Sequence, residues 1–283
     1  MGTVCAIVQA GLEPVFIDVE ADSWTPSIEM LDAGRKQSDA AAAVVIAPFG
    51  AAVDYDGLAR YAAETGLRIL VDAAAAFDFV ERLAAASTAF TLPIMVSLHA
   101  TKLASSLEGG LVLWDDPQAV RRIVAWSNFG IYNQDPIVDI GCNAKLSEVH
   151  AAYGLGSLAI WPGVRDRMVE IADRYVRLFA DRNANVGFAP NIRSRLATST
   201  FNVTVPGLRS DAHVVLASKG IETRKWWRDG VHTLPAYGNV RMAAPLETTT
   251  RLARTTVGIP FYHDLNQDDQ AFIVECVCEL SGR

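Results

Sequence analysis

Cysteine is scarce in this chain, positive charge is in deficit, and no long apolar run is present. Four cysteines in 283 residues, Cys5, Cys142, Cys276 and Cys278, are too few and too scattered for a disulfide framework. The Cys276-Val277-Cys278 spacing is wrong for a zinc knuckle, and no histidine stands near it, so the pair reads as part of an apolar core segment. The most apolar stretch, AAAAVVIAPFGAAV over 40–53, is broken by Pro48 and Gly50 and is too short to cross a bilayer. Met1 is followed by neither a basic stretch nor a cleavage signature, so a reducing cytoplasm is the expected setting. With 25 Lys and Arg against 32 Asp and Glu, the net charge of −7 argues against nucleic acid or an anionic membrane as the main partner. A small anionic substrate remains compatible, because a local cationic pocket can sit on an acidic protein. Internal repeats and low-complexity tails are also missing.

What is present suits a globular α/β protein: 51% of residues are hydrophobic and 20% charged, enough for a sizeable core. PVFIDVE (14–20) reads as a strand, AAAVVIAPF (41–49) and LRILVDAAA (67–75) as fully buried strands, and YDGLARYAAETG (55–66) as a helix stopped by glycine. Buried strands separated by helices predict parallel βαβ units. IMVSLH (94–99) and GGLVLWDD (109–116) are two more strands, and the helix after them starts at Asp116-Pro117 with proline in its first turn. Over 144–182, Pro162 and Gly163 predict a division into two helices. The second carries Val164, Met168, Ile171, Tyr175 and Leu178 on one face. Residues 197–207 resume β character, 211–220 form a helix with a glycine stop, and 267–280 form the closing helix. The expected architecture is a large α/β domain with a mostly parallel sheet over 1–160. A connecting helix and a smaller α+β domain follow over 161–283.

Two residues at the C-terminal ends of predicted buried strands draw attention, because ligands of open α/β sheets gather there. Asp72 closes LRILVD, where a carboxylate is costly unless paired; alone it reads as an N-cap for the alanine-rich segment beyond. Lys102 lies just past IMVSLH and alone is a solvated charge, a phosphate clamp or a covalent catalyst. Together they suggest pyridoxal phosphate (PLP) chemistry, in which a carboxylate keeps the pyridine nitrogen protonated and a lysine amine forms a Schiff base with the aldehyde. Spacing alone leaves the plainer readings open.

Longer motifs sharpen this. GLEPVFIDVEADSWT (11–25), ILVDAAAAF (69–77), VSLHATK followed by EGG, NFGI…GCNAKLSEVHAAYGL (128–155) and GIETRKWW…HTLPAY (220–237) run nearly end to end. In them the chain resembles the DegT/DnrJ/StrS family of PLP-dependent sugar aminotransferases. SLHATK…EGG and NAK-SE-AA are the most specific of these, and they are most like enzymes that aminate a keto group of a dTDP-linked deoxysugar.

The resemblance implies the fold type I PLP-transferase architecture, a homodimer, and amino transfer from glutamate or glutamine to a nucleotide-activated keto-deoxysugar. By position, Lys102 would be the Schiff-base lysine and proton shuttle. Asp72 would partner the pyridine nitrogen, and Ser97 would bind the cofactor phosphate. Asn143 would reach the phosphate of the neighbouring subunit's cofactor. His99, Arg224, Trp226, Trp227 and His232 are candidates for the substrate side, each with a packing or surface role as the plain alternative. Glu108 reads as a turn residue. Relatives that use PLP for dehydration carry histidine at the lysine position, and Lys102 sets this chain apart from them. Two departures stand out. Ala75 occupies the place of a cofactor-contacting His or Gln. The family's G-T-x-A phosphate loop and ring-stacking aromatic belong ahead of TVCAIVQAGLEPVF. On that pattern the chain is expected to begin inside the large domain, with weak PLP retention and slow turnover. A truncated or degenerate member acting as a non-catalytic subunit is the second expectation.

Overall fold

The structure, a computed structural model, describes residues 1–86, 89–133, 140–226 and 228–280. The chain opens with α1 (Gly2–Gln9) and β1 (Val15–Phe16), then α2 (Ile28–Ser38), β2 (Ala42–Ile46), α3 (Tyr55–Thr65), β3 (Arg68–Asp72) and α4 (Phe77–Ala86). Next come β4 (Ile94–Ser97), β5 (Gly110–Leu113), α5 (Pro117–Ser127) and the long α6 (Glu148–Asp181). The last third holds β6 (Gly187–Phe188), α7 (Pro190–Arg193), β7 (Phe201–Thr204), α8 (Ala212–Ser218), β8 (Arg241–Met242), α9 (Glu247–Thr255), β9 (Thr256–Ile259) and α10 (Gln267–Cys278). Helix starts follow local chemistry: the side chains of Ser27, Asp54, Asp116, Ser147 and Asn266 each accept a backbone N–H in the first turn of the helix that follows.

The main sheet has the order β2-β3-β4-β5. β3 pairs in parallel with β2 and β4, whereas β5 runs antiparallel to β4. The mostly parallel sheet expected from the sequence is therefore present, with β5 antiparallel in it. Only twelve residues separate β4 from β5, too few for a helical crossover, so the chain turns back on itself. β2 was expected to be fully buried, yet Ala42 and Ile46 are exposed and only Val45 is buried. It is the end strand of this ladder, and among the described residues no strand covers its outer side. PVFIDVE gives only the two-residue β1, which pairs with β8; Asp18 leaves the strand to serve the first turn of α9.

One core packs α3 and α4 on the sheet through Leu58, Val71, Phe79, Val80, Ile94 and Val96. A second packs Met168, Ile171, Tyr175 and Phe179 of α6 against the antiparallel sheet β6-β7-β9 and α10, with Cys276 buried as expected. α6 runs unbroken through Pro162, so the predicted division at Pro162–Gly163 does not occur. Proline removes one backbone donor there, while burial continues across it. Trp161 packs edge-on to Phe77 with ring centroids 4.9 Å apart and donates its indole N–H to Glu81 at 2.8 Å.

The two cores meet through polar ties. Asp78 on α4 is fully buried, receives both Arg82 Nε and Nη2 at 3.0 Å, and accepts the backbone N–H of Ala197 at 2.7 Å. Thr198 donates its hydroxyl to the carbonyl of Phe49 at 2.8 Å.

Candidate active site

The site grows from the C-terminal end of β3. Asp72 is paired in register with Ile46 on one side and Met95 on the other, so it ends an interior strand and is buried. Oδ1 accepts the N–H of Ala74 at 3.1 Å and Oδ2 accepts the hydroxyl of Thr3 at 2.6 Å. α4 begins only at Phe77, so Asp72 is not its N-cap.

β4, next to β3, ends at Ser97, whose Oγ accepts the N–H of His99 at 3.3 Å and keeps its own hydrogen to donate. Ser97 lies opposite Gly110, where a side chain would come 3.1 Å from the Val96 carbonyl. Gly109 adopts φ +144°, a conformation that L side chains rarely adopt. The EGG motif is thus explained by the tight return into β5, and Glu108 is its exposed turn residue. Between the strands, 98–106 fold back: Ser106 donates to the Leu98 carbonyl at 2.8 Å and Lys102 N to the His99 carbonyl at 2.9 Å.

That turn carries the Lys102 side chain into a half-buried position. Burial holds its amine below the ordinary lysine range, and the negative charge of Asp72 opposes the shift. Among the described residues, no ion pair or hydrogen bond engages the amine. A half-buried amine of lowered basicity gives up its proton more readily than an exposed lysine does. A carboxylate with one donor on each oxygen still has acceptor capacity for a third.

These residues fit PLP. Asp72 offers the acceptor a pyridinium needs, Lys102 offers the amine an aldehyde needs, and Ser97 has a free hydroxyl hydrogen for a phosphate oxygen. Ala75 contributes no side-chain hydrogen bond.

Asp72 and Lys102 lie within electrostatic range of each other and Ser97 ends the strand beside that of Asp72, while the other candidates have partners elsewhere. Asn143 is exposed beside α5, bridged by backbone to Asn128 and accepting from Lys145 at 2.8 Å. His99 bonds Thr101 at 2.9 Å and faces Glu108 at 3.5 Å on the turn's exposed side. Arg224 pairs with Glu222 at 3.2 Å and is largely exposed. His232 bonds Thr250 of α9 at 3.2 Å. Trp226 donates to Asn202 at 2.6 Å and packs on Phe49, centroids 5.2 Å apart. Its ring is therefore used in joining the two cores. Trp227 lies outside the described residues.

Sequence reasoning missed Thr3, whose partner is 69 positions away, and the turn at Phe49-Gly50. Gly50, at φ +91°, packs so tightly that a Cβ would meet the Ala75 carbonyl at 2.8 Å and Thr198 at 3.0 Å. The Gly in an apolar run was the available signal for a close backbone approach.

Comparison with known proteins gives the family. The DegT/DnrJ/EryC1/StrS aminotransferase family matches residues 1–278. A dTDP-4-amino-4,6-dideoxy-D-glucose transaminase of Shigella dysenteriae is 26% identical over 99% of this chain and 77% of its own length. A transaminase of the same name from Escherichia coli is 26% identical over 95% and 74%. Among solved structures, DesI in the presence of its TDP-sugar product superposes with a TM-score of 0.83 at 28% identity, covering 99% of this chain and 72% of that one. A DegT DnrJ EryC1 StrS aminotransferase from Brucella abortus shares the fold with a TM-score of 0.84 at 23% identity, over 99% and 77%.

Proposed function

Because this chain belongs to the DegT/DnrJ/EryC1/StrS aminotransferase family, as a PLP-dependent sugar aminotransferase of fold type I, we propose that it moves an amino group from glutamate or glutamine to a nucleotide-linked keto-deoxysugar. The nucleotide we assign is dTDP, supported by the printed activities of the Shigella dysenteriae and Escherichia coli relatives and by the TDP-sugar product of DesI. The single observation that carries the reading is the half-buried Lys102 amine within the field of Asp72, where parallel strands end.

When bound, PLP supplies an aldehyde carbon and an electron-withdrawing ring. Asp72 would hold a proton on the ring nitrogen, and Ser97 would donate its hydroxyl to the phosphate. Lys102 would supply the amine that holds the aldehyde and, when free, would carry a proton to and from the carbon that bears the amino group.

Asn143 is assigned to the cofactor phosphate of a second copy, in a homodimer. The support is an apolar surface on either side of it: Trp126, Phe129, Val149, Leu155 and Ile160 are each more than half exposed, an extent expected of a face covered by protein. We take residues 1–160 as the PLP-binding domain and 161–283 as the connecting helix and small domain, the boundary falling within α6. Among the described residues no helix is long and apolar enough to cross a membrane; a cytoplasmic location is our assignment.

The test is direct. Protein mixed with PLP should gain a visible band that borohydride fixes on Lys102 in peptide mapping. With glutamate or glutamine it should aminate a dTDP-linked keto-deoxysugar in preference to the UDP-linked one. An adduct mapped to another lysine would overturn the site, and preference for another nucleotide would overturn the substrate.

A further inference from the structure

We infer that Thr3 is a positioning residue that fixes the rotation of the Asp72 carboxylate, and through it the hold on the cofactor's ring nitrogen. This rests on the reading of Asp72 given above. A carboxylate at a strand end turns about its last bond, and only directed donors give it one orientation. Here the two oxygens are held from different parts of the chain. Oδ1 takes the N–H of Ala74 at 3.1 Å, a bond within its own turn that any residue at position 74 except proline could supply. Oδ2 takes the Thr3 hydroxyl at 2.6 Å, from α1, and no main-chain group replaces it.

The shortness of that bond fits a charge-assisted O–H···O⁻ contact. Thr3 is half-buried, and its neighbour Val4 is buried at 8% exposure, so the first turn of α1 is seated against the protein. Asp72 is 6% exposed as a residue, so water has little access to replace a lost donor. With one donor on each oxygen, rotation by even a few tens of degrees breaks both bonds. The remaining lone pairs then keep a constant direction, which is what a single N–H···O bond to a flat ring requires.

The experiment compares Thr3→Val, which keeps the shape and loses the donor, with Thr3→Ser, which keeps the donor and loses the methyl. Asp72→Asn is run beside them. PLP affinity is read by equilibrium dialysis, the bound cofactor by its visible absorption across pH, and the fold by melting of cofactor-free protein. We expect Thr3→Val to weaken PLP binding about tenfold and to shift the pH midpoint of the visible band in the same direction as Asp72→Asn. Thr3→Ser should stay within about twofold of the parent, with all cofactor-free melts alike. The inference is overturned if Thr3→Val matches the parent while Asp72→Asn does not, or if Thr3→Ser fails as badly as Thr3→Val, since packing would then be the cause. It is equally overturned if the cofactor-free Thr3→Val protein melts early or does not fold, which makes the bond a structural tie. If Asp72→Asn leaves both affinity and absorption unchanged, the underlying assignment of Asp72 is what fails.

Discussion

Replacing Gly50 with alanine places a methyl group 2.8 Å from the Ala75 carbonyl oxygen and 3.0 Å from Thr198. The first neighbour is main chain and cannot swing aside. The backbone at Gly50 also has φ +91°, which costs an L-residue about 1–2 kcal/mol. Overpacking of a closed site adds about 1–3 kcal/mol, so the expected total is about 2–5 kcal/mol. Gly66 offers an internal control. It ends α3 at φ +71°, and nothing lies within 4 Å of its missing Cβ. Gly66→Ala therefore carries the backbone cost alone, about 1–2 kcal/mol.

At about 2 °C per kcal/mol for a chain of this size, the cofactor-free proteins should melt lower by about 2–4 °C for Gly66→Ala and about 4–10 °C for Gly50→Ala. PLP affinity separates them further. Ala75 is three residues beyond Asp72, so a displaced Ala75 carbonyl moves the turn that orients the carboxylate. Gly50→Ala should lose affinity and Gly66→Ala should not. Equal melting shifts with unchanged PLP affinity in both would refute the argument that the Gly50 turn braces the site.

The candidate centre is more legible in the sequence than the frame around it. Asp72 and Ser97 end two strands that are neighbours in the sheet, and Lys102 follows in the turn after the second. A strand-end rule and a local motif are enough to propose them. Arg224, Trp226 and His232 lie in a motif too, but their partners, Glu222, Asn202 with Phe49, and Thr250, are set by how the last third of the chain packs. Periodicity is blind to that. It is equally blind to whether a run such as AAAVVI lies inside a sheet or at the end of a ladder, since burial on one side depends on which strand arrives next. Pro162 shows a local rule overruled: the lost hydrogen bond of one proline is offset by apolar burial on both sides of it along α6. Thr3 and Asp18 were missed for one shared reason. Each is a small polar residue whose partner lies 69 or about 230 positions away, and nothing in the neighbouring letters encodes that distance.

Burial lowers the Lys102 pKa, so its amine loses its proton at a lower pH than an exposed lysine; near pH 8, reductive methylation should label Lys102 ahead of the exposed Lys145 and Lys225, and equal rates would remove the basis for its nucleophilicity. Asp78→Ala strips the Ala197 N–H of its acceptor and leaves Arg82 with the Arg195 carbonyl but no carboxylate. Hydrogen bonds to a charged group are worth about 1.5–3 kcal/mol each, and half of Arg82 is exposed, so urea unfolding should report a loss of about 2–4 kcal/mol; a loss below about 0.5 kcal/mol would mean that the cores are joined by other contacts. Asp18 accepts the N–H groups of Thr248 and Thr249 and the Thr249 hydroxyl, which together hold its carboxyl below the usual 3.8 against the opposing pull of burial, so it caps α9 from across the chain. A carboxylate whose folded pKa is depressed stabilises the fold fully above its unfolded value and loses that contribution as pH falls through the folded one; Asp18→Ala should therefore cost about 1 kcal/mol at pH 7, with the gap from the parent closing below about pH 4, and a gap that stays constant down to pH 3 would show that the charge on Asp18 contributes nothing to the cap.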